Sequence, residues 1–114
     1  MEYQSLLRQL YQDFNNRHID AVLAHLHTDV AWPNGWEGGY VAGHDEVRAY
    51  WQRQWQQINP TVEPLSFEVK PGGQIVVKVH QMIKALDGQV LSDDLIYHVY
   101  SFENGKVRTM LIEH

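Results

Sequence analysis

At Pro60 the hydrophobic period of this chain changes from near 3.6 residues to 2, so helices must come first and sheet second. Upstream, Tyr3, Leu7, Leu10, Tyr11 and Phe14 recur at helical spacing and predict an amphipathic helix over 3–15, broken by Asn15-Asn16. Ile19, Val22, Leu23 and Leu26 mark a second, shorter helix, with Asp20 in the first turn where the helix dipole favours an acid. Asp29 to Trp32 reads as a short strand halted by Pro33. Gly43, followed by His44-Asp45-Glu46, opens a third helix whose stripe is Val47, Trp51, Gln54, Trp55 and Ile58, and Asn59-Pro60 stops it.

Downstream, Leu65, Phe67 and Val69 alternate with polar residues, and Pro71-Gly72-Gly73 turns the chain. Residues 74–86 and 89–103 read as long strands joined at Asp87-Gly88. Asn104-Gly105 is a second hairpin signal, and 106–113 complete an antiparallel meander. The whole chain, 1–114, thus reads as one α+β domain with helices on one face of a sheet.

Two-residue hairpins fix which residues pair. With Asn104-Gly105 at the tip, Phe102 pairs with Val107, and Phe102, Tyr100, His98, Ile96 and Asp94 share a face with Val107, Thr109 and Leu111. With Asp87-Gly88 at the other tip, Gln81 lies opposite Asp94 and Val77 opposite His98. Val77, Val79, Gln81, Ile83 and Ala85 then join that face. It is mostly apolar, so helices should cover it, and its polar members need partners. The other face carries Lys78, His80, Met82, Lys84, Tyr97, Val99, Arg108, Met110 and Ile112. That is too apolar for a solvated surface, and a second subunit is the expected cover. A β-bulge in either long strand would shift this register.

A net charge of −5, with no basic stripe, excludes the counterion-displacing face of a nucleic-acid binder. There is no cysteine, so thiolate chemistry is excluded. No apolar run approaches the roughly 18 residues of a membrane helix. The opening MEYQSLLRQL lacks the basic and apolar regions of a signal peptide, and the expectation is a cytoplasmic protein without a membrane partner.

The chain resembles the SnoaL-like and ketosteroid isomerase-like branch of the NTF2-like superfamily. The resemblance rests on "LYQDFNNRHIDAVLAHLHTDVAW", "VAGHDEVRAYW" and the ending "YHVYSFENGKVRTMLIEH". It implies a cone, in which three N-terminal helices pack on a strongly curved mixed or antiparallel sheet around an apolar pocket, and a homodimer through the outer sheet face. It also implies altered chemistry. Ketosteroid isomerases carry a general-base Asp just after the first strand, a position that falls near Asn34 here. Their oxyanion-stabilising Asp, four residues before the Phe ending the penultimate strand, becomes His98. Their first-helix Tyr aligns with Leu10, one residue from Tyr11.

The expected chemistry therefore centres on His98, whose imidazole titrates near neutral pH when unperturbed. Asp94 and Tyr11 would assist, although Asp94, four residues along a strand, is roughly 13 Å away. Gln81 would orient Asp94, and Tyr100 would offer a hydroxyl. Trp32, Trp51 and Trp55 would form an aromatic wall, with Asn34 beside it. Residues 33–43, rich in glycine, would act as a lid carrying Trp36 and Tyr40 over a small hydrophobic, cyclic ligand. His25-x-His27 would not hold a metal, because residues i and i+2 on a helix point apart, and no cofactor is implied. The leading expectation is a cofactor-independent isomerase, dehydratase, cyclase or hydrolase using His98 as acid/base or oxyanion donor. The alternatives are a non-catalytic small-molecule binder and a dimeric association domain.

Overall fold

Three helices precede most of the sheet in the computed structural model, which describes residues 2–114. Helices α1 (Glu2–Asn15) and α2 (Ile19–Ala24) lead into β1 (Leu26–Pro33), the short β2 (Tyr40–Ala42) and α3 (Gly43–Trp55). The strands β3 (Ile58–Val69), β4 (Ile75–Ala85), β5 (Val90–Glu103) and β6 (Lys106–Glu113) follow. The six strands form one sheet in the order β2-β1-β6-β5-β4-β3. It is mixed, because β1 runs parallel to β6 while every other pair is antiparallel. The architecture is the expected NTF2-like cone, with the sheet left open.

The buried stripes close on the concave face. Leu7 and Leu10 of α1, Val22 and Leu23 of α2, and Val47 and Trp51 of α3 pack towards Ile75, Val77, Val79, Ile96 and Val107 of the sheet. Each fully buried aliphatic side chain contributes about 1.5–3 kcal/mol, so this two-layer contact holds the cone together. Among the described residues no helix is long and apolar enough to cross a membrane.

Three boundaries differ from the sequence reading. Leu26 begins β1 rather than ending α2. Ile58 belongs to β3 rather than to α3, because the residue before a proline disfavours helical backbone and the helix closes earlier, at Trp55. The segment 33–43 is not one long lid, since Tyr40 pairs with Pro33 across β1 and β2.

β3 carries Pro60 and Pro64 and lies at a sheet edge, where a missing N–H is tolerated and strand addition is blocked. Asn15 completes that edge from α1. Its Oδ1 accepts the Val62 N–H at 2.9 Å, and its Nδ2 donates to the Val62 carbonyl at 2.7 Å. Asn15→Ala removes both bonds and leaves the Val62 backbone groups unpaired, an expected cost of about 1–3 kcal/mol. Urea unfolding checks it; a midpoint equal to the parent's would mean that water replaces the amide.

The register around His98 is as expected: Gln81 faces Asp94 and Val77 faces His98. Two local departures cancel to leave it so. The β4–β5 connection is one residue longer than a two-residue turn, closed by the Ala85 N–H on the Gln89 carbonyl at 2.8 Å, with Gly88 at φ 96°. A shift between Ile83 and Lys84 then restores the pairing. The β5–β6 ladder shifts only once. Phe102 pairs with Val107 but Ser101 with Thr109, so Arg108 is the extra residue. A one-residue bulge flips every side chain beyond it. Met110 (2% exposed) and Ile112 therefore turn inward, whereas Leu111 (40% exposed) turns outward with Thr109, correcting the inner and outer assignments for that strand.

Candidate functional site

Between the helices and the concave sheet lies a cavity of about 180 Å³. Its walls are chiefly aromatic. Trp32 from β1 meets Trp51 from α3 edge-on at 5.4 Å, and Phe14 from α1 meets Trp51 at 5.4 Å. Trp55 stacks behind Trp51 at 6.0 Å and supports the wall without lining it.

The polar floor comes from two elements. α1 turns Tyr11 inward beside Leu7 and Leu10, and β5 places His98 and Tyr100 two residues apart, hence on one face. The Tyr100 hydroxyl donates to the Tyr11 oxygen at 2.8 Å, and Tyr11 lies 2.8 Å from His98 Nδ1. Burial lowers the His98 imidazole to about 3, and burial raises both Tyr11 and Tyr100 above the ordinary phenol value. All three groups are therefore neutral at pH 7. Tyr11 spends its acceptor on Tyr100 and gives its own proton to Nδ1, so the imidazole proton must sit on Nε2. Nε2 has no partner among the described residues and is not sealed within packed protein, so its N–H is offered to the cavity. The chain of donors is directional: Tyr100 to Tyr11 to His98 to whatever occupies the space.

The structure sorts the other sequence candidates. Gln81 lines the cavity, as do Trp32, Trp36 and Trp51. Asp94 lies exposed on β5 and lines nothing in the cavity, so it corrects the expectation of an assisting carboxylate. Tyr40 is 60% exposed on the edge strand β2, outside the cavity.

Asn34 is buried but is not a cavity wall. Its Oδ1 accepts the Trp36 and Glu37 N–H groups at 3.3 and 2.7 Å, and its Nδ2 donates to Glu37 Oε1 at 2.9 Å. Asn34 thus shapes a tight loop, residues 34–39, closed by its own N–H on the Gly39 carbonyl at 2.8 Å. Arg53 of α3 donates to both Glu37 oxygens at 2.9 and 3.3 Å, and this contact holds the Glu37 carboxyl below its usual range. The loop keeps Trp36 at the cavity wall while leaving it 39% exposed.

His25 caps α2 within 3.7 Å of Asp13, and His27 lies on β1 within 3.5 Å of Glu103. Among the described residues no cluster of three metal-ligating side chains occurs. Several lining groups escaped the sequence reading, among them Phe14, Gln54, His114, Tyr50 and Ile112. Tyr50 falls three residues after Val47 and four before Gln54, so the helical stripe itself held the signal. Ile112 was hidden by the β6 bulge.

A cone of helices on an open curved sheet, enclosing an aromatic cavity with a buried polar floor, defines the NTF2-like class of pocket domains. Solved structures agree. An NTF2-like protein of unknown function from Burkholderia pseudomallei is 29% identical over 99% of this chain and 90% of that one, with a TM-score of 0.85. TerC, crystallised with polyporic acid, is 23% identical over 97% of this chain and 88% of that one, with a TM-score of 0.82. A candidate polyketide cyclase from Pseudomonas putida is 17% identical over 100% of this chain and 92% of that one, with a TM-score of 0.78. No curated protein matches the sequence. The chain belongs to the SnoaL-like domain family, whose pattern it matches over residues 7–110.

Proposed function

We propose that this SnoaL-like protein holds a small, largely apolar, ring-containing molecule in its cavity, with an acceptor oxygen on the His98 Nε2–H. The observation that carries this reading is the Tyr100–Tyr11–His98 chain, which ends in an unpartnered donor among aromatic walls. A hydrogen bond offered there strengthens as negative charge develops on a carbonyl oxygen, which is the electrostatic contribution an isomerase, dehydratase, cyclase or hydrolase needs. His98 acts as a donor rather than a base in this reading, because Nδ1 is engaged and Nε2 already carries the proton. Among the described residues no Asp or Glu side chain lines the cavity, so a base other than substrate or water would have to be the His114 imidazole, which does line it. The polyporic acid of TerC and the candidate polyketide cyclases among the neighbours favour a cyclic oxygenated ligand. A non-catalytic binder uses the same contacts.

Fluorescence of the lining tryptophans reads occupancy. Fluorenone is expected to bind more tightly than fluorene, and His98→Ala to lower fluorenone affinity about tenfold, the worth of one buried hydrogen bond, with fluorene unaffected. Equal losses for ketone and hydrocarbon would remove the donor role.

The cytoplasm remains the proposed compartment, and a homodimer the proposed assembly. Leu95, Tyr97 and Leu111 form an exposed apolar patch on the outer sheet face, continuous with Val99. Sedimentation at micromolar concentration should give twice the chain mass; a monomer there rules the assembly out.

A further inference from the structure

Tyr50 is buried in the helical wall of the cavity, and its hydroxyl is an acceptor already. Gln54 Nε2 donates to the oxygen at 3.2 Å. A phenol oxygen has two lone pairs and one proton. The one hydrogen bond at this oxygen is one it accepts, and the proton has no acceptor among the described residues. Glu37 is the carboxylate whose charge acts on this phenol, but its oxygens receive Asn34 and Arg53. Burial raises the Tyr50 phenol to about 12, so the proton stays in place at neutral pH. A buried O–H aimed at nothing is seldom left so, and here the residues around it are themselves cavity walls.

We propose that the Tyr50 O–H is the second hydrogen-bond donor of the cavity and that the ligand carries two acceptor oxygens, one for His98 Nε2 and one for Tyr50. The two donors stand on different layers, α3 and β5, so they select a rigid molecule with oxygens at two separated edges. Tyr50 is thus a specificity-determining residue for the site read above, and the proposal rests on that reading.

The probes are rigid aromatic ketones, each paired with a diketone on the same ring skeleton, over a graded series of oxygen–oxygen separations. Titrated into the full chain by tryptophan fluorescence, at least one diketone should bind about tenfold more tightly than its monoketone, one further hydrogen bond. Tyr50→Phe should erase that advantage, bringing diketone and monoketone affinities within about twofold of each other. No diketone advantage in the parent, or an advantage that survives Tyr50→Phe, overturns the proposal. If no monoketone binds the parent protein, the pocket reading falls and this one with it. Infrared spectra of the bound diketone decide independently of the variant's folding: two lowered carbonyl stretches are expected, and a single one overturns the second donor.

Discussion

Acidification from pH 6.5 towards pH 3 should cost the fold roughly 4–5 kcal/mol through His98 alone, at about 1.4 kcal/mol per pKa unit. Burial holds the imidazole at about 3 in the folded chain against an ordinary value of 6.5. Between those values the unfolded chain binds a proton that the folded chain refuses. Stability therefore rises with pH across this window, is complete above about 6.5, and is lost as pH falls towards 3. His98→Asn cannot take up the proton and keeps an acceptor for Tyr11, so its stability should depend less steeply on pH. Urea midpoints of both proteins at pH 7, 6, 5 and 4 test this. Parallel curves would show that another group carries the acid sensitivity. The same depression keeps Nε2–H a neutral donor through the physiological range, which is what the proposed function requires.

Trp51→Ala should cost about 3–5 kcal/mol, because a buried tryptophan loses its transfer energy and leaves a void. Trp51 is 1% exposed and is the hub on which Trp32, Phe14 and Trp55 pack. Small domains are stable by about 5–15 kcal/mol in total, so the variant should sit close to its unfolding threshold. The lowered denaturant midpoint should come with an unchanged m-value, the mark of lost stability rather than altered compactness. Trp36→Ala is the contrast, expected to change stability by less than about 1 kcal/mol because Trp36 is half-exposed on a loop. Equal losses for the two would mean that the Trp36 loop is part of the core.

Much of this was legible in the chain. The switch of period at Pro60 separates helices from sheet because side chains repeat every 3.6 residues on one and every 2 on the other. Asn104-Gly105 set the pairing of Phe102 with Val107, and the tip near Asp87-Gly88 set His98 opposite Val77 through two compensating one-residue shifts. The bulge at Arg108 was not legible, because an extra residue in a strand leaves no periodic trace. It exchanged Met110 and Ile112 with Thr109 and Leu111. Asp94 illustrates a different limit: alternation gives a residue's face but not its depth, and Asp94 is exposed outside the cavity although Gln81 opposite it is a lining residue.

The sequence by itself determined the order of helices and sheet, the inward face of β5 and His98 among its polar members. All three follow from local periodicity and hairpin chemistry, which neighbouring residues encode together. Only the tertiary structure decided what His98 can do. Its neutral state, its Nε2–H tautomer and the donor chain behind it depend on Tyr11, 87 positions away in the chain. The same holds for Tyr50, whose place in the cavity wall beside Gly35 and Trp36 exists only in the folded protein. Desolvation and hydrogen-bond direction belong to surroundings that distant segments supply, and no stretch of sequence contains them.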